Sequence, residues 1–391
     1  MRRRMRILFV TSALPSHFFA MAPFGWAARA AGHAVRVATP PGLAAAVARS
    51  GLPTVAVGEE VDFAAGYRGR RPGASADPKR MFAAVAEAMV ADLVELARSW
   101  RAELLVWEPT SFAGPVAAAA LGVPSLRYLW GPDIVGRGTG GRDRLPEAVR
   151  ALFDRYADGL AGVPEWTTVD PCPPSVQLPT SGPWRHVRYV PHSTASRVEP
   201  AALRPPDRPR VLVTLGMSVT DLVGPRAFLP PLVVRALADE DVETLVALPA
   251  GQAAALTDAG PLPANVRTIT DCPLPALLAD AAVVVHHGGA GTLLSAVNAG
   301  VPQLVLAQMP DLAFYGDRVA GTGAALRLDA DVTGSAIRDA VAALRADDGP
   351  AGAGHRAAAA RLRAEALRQP TPAQLATELL DPATQHEESF A

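Results

Sequence analysis

The chain has 391 residues, 49% hydrophobic and 19% charged, enough for two cores of ordinary size and too apolar for a disordered chain. Its formal net charge is -1, with 37 Lys and Arg against 38 Asp and Glu, which excludes a general nucleic-acid binder. Its two cysteines, Cys172 and Cys272, give neither a disulfide framework nor a metal-ligand spacing and fit a reducing cytoplasm.

The chain opens "MRRRMRILFVTSALPSHFF", with basic residues before an apolar stretch. Only Ile7, Leu8, Phe9 and Val10 run together before Thr11 and Ser12, so a buried first strand is expected rather than a secretion signal. No apolar run approaches the ~20 residues of a membrane span. "FAMAPFGWAARAA" has helical spacing and stops at Gly32; "HAVRVATP" reads as the second strand. "ELLVW" (103–107), "FAGPVAAAALG" and "VPSLRYLW" repeat strand, helix, strand, with Gly122 ending the helix. "GYRGRRPGASADPKR" (66–80) and "VGRGTGGRDR" (135–144) read as solvated loops, or as a lid over a cleft. The second lacks the Gly-Lys-Ser/Thr ending of a P-loop.

From 171 to 208 the chain is dense in proline and poor in periodicity, as in a linker. Alternation then resumes with strand candidates at 210–216, 242–248, 266–270, 282–286 and 303–307. Strands alternating with helices in both halves predict two doubly wound α/β domains of Rossmann type, facing each other across a cleft. The expected divisions are 1–190, a linker at 191–208, and 209–380, with the last helix free to pack back on the first domain. The tail at 381–391 is expected to be disordered.

The most informative stretch is "AAVVVHHGGAGTLLSAVNAG", residues 281–300. Gly288, Gly289 and Gly291 carry no side chains to block close approach of a ligand to the backbone. A helix then starts, and its N-terminus joins unpaired N–H groups to the positive end of the helix dipole, which suits a phosphate. Thr292 adds a hydroxyl, and His287 adds a ring N–H in either protonation state. The spacing departs from Gly-x-Gly-x-x-Gly, which disfavours a dinucleotide site.

"HHGGAGTLLSAVNAGVPQLVLAQMPDLAFYGDRVAGTGAAL" resembles the donor signature of the GT-B glycosyltransferases that decorate natural products. "RILFVTSALPSHFFAMAPFGWAARAAGHAVRVATPP", "DPCPPSVQ" and "VLVTLGMS" extend the resemblance over nearly the whole chain. It implies inverting transfer from a thymidine diphosphate (TDP) sugar, often a deoxy sugar, to a hydroxyl on an apolar aglycone, without metal or other cofactor. By the same resemblance His17 is the general base and Glu108 its acidic partner. A base that titrates near neutrality is what a weakly nucleophilic hydroxyl needs. His287, Gly288, Gly289, Gly291 and Thr292 would hold the diphosphate, with Gly216 and Ser218 near the diphosphate or ribose. Leu274 would meet the nucleobase through its backbone, although Cys272 stands where relatives often carry a large aromatic. Asp311 would meet sugar hydroxyls. Leu312 replaces a common Gln beside it, which suggests a donor lacking a hydroxyl there.

Phe18, Phe19, Phe24 and Trp130 could line an acceptor pocket or fill the core. "DAD" at 329–331 imitates a metal-binding Asp-x-Asp, but Asp331 or Thr333 reads better as the cap of the following helix. Two other functions share parts of this pattern. A nucleotide-sugar epimerase of the same fold would need carboxylates around the sugar and no acceptor pocket. A non-catalytic helper would not need His17 paired with Glu108. A twofold homodimer is the commonest assembly for such a chain.

Overall fold

A computed structural model of the chain describes residues 4–12, 14–63, 78–137, 142–161, 163–164, 166–192, 197–200, 204–215, 228–258, 260–329, 331–346 and 354–380. These fall into two compact units. The first lies within Met1–Cys172, Leu178–His192 and Gln369–Ala391; the second lies within Pro173–Gln177 and Ser193–Arg368.

The first unit is built on seven parallel strands: β1 (Arg6–Val10), β2 (Ala34–Thr39), β3 (Thr54–Ala56), β4 (Leu104–Trp107), β5 (Ser125–Tyr128), β6 (Thr167–Asp170) and β7 (Trp184–His186). Their order is β3-β2-β1-β4-β5-β6-β7. β1 and β4 are continuous apolar runs because helices cover both faces of a parallel sheet. The helices are α1 (Pro15–Ala30), α2 (Pro41–Ala48), α3 (Pro78–Ser99), α4 (Ala113–Leu121) and α5 (Glu147–Tyr156). α1 starts earlier than the apolar spacing predicts. Pro15, at its first turn, has no N–H to lose there and a φ already set for a helix.

The second unit repeats the plan with six parallel strands: β8 (Arg210–Thr214), β9 (Glu243–Leu248), β10 (Val266–Thr270), β11 (Ala281–His286), β12 (Gln303–Leu306) and β13 (Ala325–Leu328). Their order is β10-β9-β8-β11-β12-β13. Its helices are α6 (Pro230–Ala236), α7 (Ala250–Asp258), α8 (Leu274–Leu278), α9 (Ala290–Ala299), α10 (Pro310–Ala320), α11 (Gly334–Arg345) and α12 (His355–Arg368). Thr333 caps α11, its hydroxyl accepting the Ala336 N–H at 3.2 Å, so the "DAD" stretch leads into a helix cap.

The chain returns to the first unit at its end. α13 (Pro372–Leu380) packs on α1, and Gln369 Nε2 donates to the Cys172 carbonyl at 2.7 Å. The sequence-predicted tail at 381–391 and most of the loop at 66–80 lie outside the described residues. The described ends of the 135–144 stretch are not simply solvated. Gly136 is buried, with its N–H donating to Asp133 Oδ1 at 2.8 Å. Arg142 donates to the Val163 and Leu160 carbonyls and lies over the Trp166 ring.

Strand order reverses once in each sheet, between β1 and β4 and between β8 and β11. In an open α/β sheet the loops diverge at such a point and leave a crevice beyond the strands' C-terminal ends. The segments after β1 and β4 carry His17 and Glu108. The segment after β11 carries the glycine turn.

Candidate active site

In the first unit, β1 and β4 pair in register, Val10 beside Trp107, so the residues that follow each strand emerge together. Glu108 comes immediately after β4 and is fully buried. Its carboxylate is ringed by donors from both segments. Ser12 gives its N–H at 3.2 Å and its hydroxyl at 2.8 Å; Thr110 gives its N–H at 2.8 Å and its hydroxyl at 2.7 Å; the Ser111 hydroxyl completes the ring. Burial opposes the charge, but the adjacent His17 and the hydrogen bonds from Ser111 and the Thr110 backbone outweigh it. They hold the carboxyl pKa down at about 2.

His17 sits in the first turn of α1, 8% exposed. Its Nδ1 lies 3.2 Å from the Thr110 hydroxyl oxygen and 3.4 Å from Glu108 Oε2. Trp130 stacks flat on the imidazole, with ring centroids 3.8 Å apart and planes 3° from parallel; Phe82 of α3 lies at 6.2 Å. Nδ1 is thus held and the ring plane fixed, while the described residues give Nε2 no hydrogen-bond partner. The sequence predicted His17 and Glu108 as partners, and the fold brings them together. It did not single out Ser12, Thr110, Ser111 or Phe82.

The aromatic set divides. Phe18 is fully buried beside Phe19, which corrects its assignment to an acceptor wall: it is core. Phe24 is core as well, against Phe9 and Tyr128. Phe19 meets His192 edge-on at 5.1 Å. Of the set, Trp130 is the ring that stacks on His17.

In the second unit, β11 ends at His286, which is fully buried. Its Nδ1 accepts the Gly288 N–H at 3.1 Å, so its Nε2 carries the proton and donates to Gln303 Oε1 at 2.9 Å. The histidine that ends the strand is therefore a brace for the turn. Burial, with His287 adjacent, pushes its pKa down to about 3 and keeps it neutral. His287 is lowered to about 4 by burial, and its Nδ1 is a buried atom without a partner among the described residues. Its Nε2 lies over Gly289, so any side chain at 289 would collide with the imidazole. Gly288 has φ +98°, and a Cβ there would sit 2.8 Å from the Leu312 carbonyl oxygen. Gly289 caps α9 without a side-chain hydrogen bond, and Gly291 and Thr292 lie half-buried in its first turn.

Residues 26–70 and 73–216 match the N-terminal domain of the family described as erythromycin biosynthesis protein CIII-like, and residues 231–381 match its C-terminal domain. The chain is 36% identical to the 10-deoxymethynolide desosaminyltransferase of Streptomyces venezuelae over 98% of each protein. The chain belongs to the natural-product glycosyltransferases of the GT-B fold. It is also 34% identical to the aclacinomycin-T 2-deoxy-L-fucose transferase of Streptomyces galilaeus, over 78% of this chain and 80% of that one. Among solved structures it is similar to the spinosyn rhamnosyltransferase SpnG complexed with thymidine diphosphate. The TM-score is 0.81 and the identity 30%, covering 96% of this chain and 100% of that one. These relatives are transferases and give no support to the epimerase or helper readings.

The other predicted donor residues of this glycosyltransferase are placed as follows. Gly216 and Ser218 lie outside the described residues. Leu274 opens α8, half-buried. Asp311 is half-buried in the first turn of α10. Leu312 is 7% exposed and lies against Gly288, so it supports the turn. Among the described residues no cluster of three His, Cys, Asp or Glu could hold a metal ion, and no helix is long and apolar enough to cross a membrane.

Proposed function

We propose that the chain moves a deoxy sugar from a TDP-sugar to a hydroxyl of an apolar natural-product aglycone, by a single inverting displacement with His17 as general base. One observation carries this reading: a buried histidine held through Nδ1, with Nε2 given no partner among the described residues, at the switch point of the first sheet. Nε2 takes the proton of the acceptor hydroxyl as its oxygen attacks the anomeric carbon, and the thymidine diphosphate leaves from the opposite face. Glu108, ionised even in its buried setting, stabilises the imidazolium that forms. Charge then grows on the leaving diphosphate. The N-terminus of α9, the Thr292 hydroxyl and His287 meet it with fixed donors, which favour the transition state over the bound donor. With the diphosphate charge met in this way, no metal is required for departure.

The choice of donor rests on relatives. SpnG is complexed with thymidine diphosphate, and the Streptomyces galilaeus enzyme is named for a 2-deoxy sugar. Calorimetric titration with thymidine and uridine diphosphates, with and without chelator, tests the donor half. Thymidine diphosphate should bind more tightly, with no effect of chelator and with loss in His287→Ala. Equal binding of both, or binding that chelator abolishes, would remove that half of the reading. Inversion is checked by the anomeric configuration of the product.

A further inference from the structure

We infer that Thr110 is a positioning residue for the base: its hydroxyl oxygen, rather than the Glu108 carboxylate directly, accepts the His17 Nδ1–H and so leaves Nε2 as the bare nitrogen. The effect on turnover rests on the reading of His17 as general base; the tautomer assignment does not.

Thr110 Oγ1 lies 2.7 Å from one Glu108 oxygen and 3.0 Å from the other. An ionised carboxylate only accepts, so the single hydroxyl proton of Thr110 points to Glu108. Ser12 Oγ is 3.3 Å from Thr110 Oγ1, but its own proton goes to Glu108 Oε1 at 2.8 Å. Thr110 Oγ1 therefore has lone pairs to offer and no proton left. His17 Nδ1, 3.2 Å away, must carry the hydrogen of that contact. The direct distance from Nδ1 to Glu108 Oε2 is longer, 3.4 Å, beyond the usual range of an N–H···O bond. The carboxylate thus polarises the hydroxyl, and the hydroxyl fixes the ring. No proton leaves Nδ1. Trp130, stacked on the imidazole, keeps the ring from rotating out of this arrangement.

The sequence separation explains why spacing alone does not find this residue. Thr110 is 93 positions from His17 and meets it only because β1 and β4 are neighbours. Two substitutions isolate the hydroxyl. Thr110→Val keeps the shape and removes the oxygen; Thr110→Ser keeps the oxygen. Both are made in the full chain, and thermal melts confirm that each folds.

Two-bond proton–nitrogen NMR of histidine-labelled protein reads the tautomer, with the His17 signals assigned by their loss in His17→Ala. At a pH where that ring is neutral, the unmodified chain and Thr110→Ser should show a single form protonated on Nδ1. Thr110→Val should show a mixture of the two. In transfer assays Thr110→Val should lose about 10- to 100-fold in kcat, the scale of one hydrogen bond to a charged network, with acceptor KM little changed. Thr110→Ser should restore most of it. A ring protonated on Nε2 in the unmodified chain would overturn the inference. So would a Thr110→Val protein that matches the unmodified chain in both tautomer and kcat. If the spectra are as expected but His17→Ala transfers sugar at the full rate, the tautomer assignment stands and the base reading falls.

Discussion

Two adjacent glycines in the turn after β11 do different work, and substitution separates them. Gly288 is needed for its backbone: φ is +98°, and a Cβ would press on the Leu312 carbonyl. Gly288→Ala should cost about 1–3 kcal/mol of stability, read as a lower urea midpoint for the second unit. Gly289 has an ordinary φ of -60°, and a side chain there would displace only the His287 ring. Gly289→Ala should leave stability nearly unchanged and weaken thymidine diphosphate binding. Equal losses of stability in both variants would contradict this division. Trp130 supplies a third test. Trp130→Phe keeps an aromatic face on His17 and should keep most of kcat. Trp130→Leu fills the space without one and should lose kcat; a change in acceptor KM alone would make Trp130 a pocket wall instead.

At the scale of elements, the segment after β5 is held by a buried pair. Arg127 makes a fork with both Asp133 oxygens, at 2.9 and 2.6 Å, and each side chain is 1% exposed. Asp133 also accepts the Gly136 N–H. This closes the turn that carries Trp130. Asp133→Ala leaves a buried guanidinium without its partner and should cost about 3–5 kcal/mol, measurable by chemical unfolding. A loss near zero would show that the turn is held by other contacts.

The same element shows what sequence reading reaches. "VPSLRYLW" was legible as a strand because its apolar run has the length of one, but Arg127 within it gave no sign of its partner. The long apolar strands of both sheets were legible for the same reason. β6 and β7, "TTVD" and "WRH", were not, being short and polar, with β7 at the sheet's edge and β6 beside it. The glycine turn was legible because glycines clustered where a strand passes into a helix mark a close backbone turn. The hydroxyls around Glu108 were not: Ser12 and Thr110 are ordinary residues 98 positions apart until β1 and β4 pair. His286 had no assigned role for a similar reason, since its brace, Gln303, belongs to the next strand.

Across the whole molecule, the two units should respond differently to acid. The His286 pKa falls from 6.5 unfolded to about 3 folded, so its contribution is present above pH 6.5 and lost as pH falls toward 3. His287, lowered to about 4, acts in the same direction. The Glu108 pKa falls from 4.5 to about 2, so its contribution, on the order of 3 kcal/mol, is lost only below pH 4.5. Burial also lowers His186 and His192 of the first unit, so urea midpoints should decline in both units as pH falls below about 6.5, and more steeply in the second, whose two histidines are shifted furthest. A first unit that weakens more steeply than the second would contradict these assignments.

If His17 takes the acceptor's proton while the second unit holds the donor, transfer by His17→Ala, measured at saturating donor beside calorimetric binding of thymidine diphosphate, should fall in kcat by about 100-fold or more with diphosphate affinity unchanged. A variant that keeps its kcat would contradict the base. One that loses diphosphate binding along with kcat would contradict the division of labour between the two switch points.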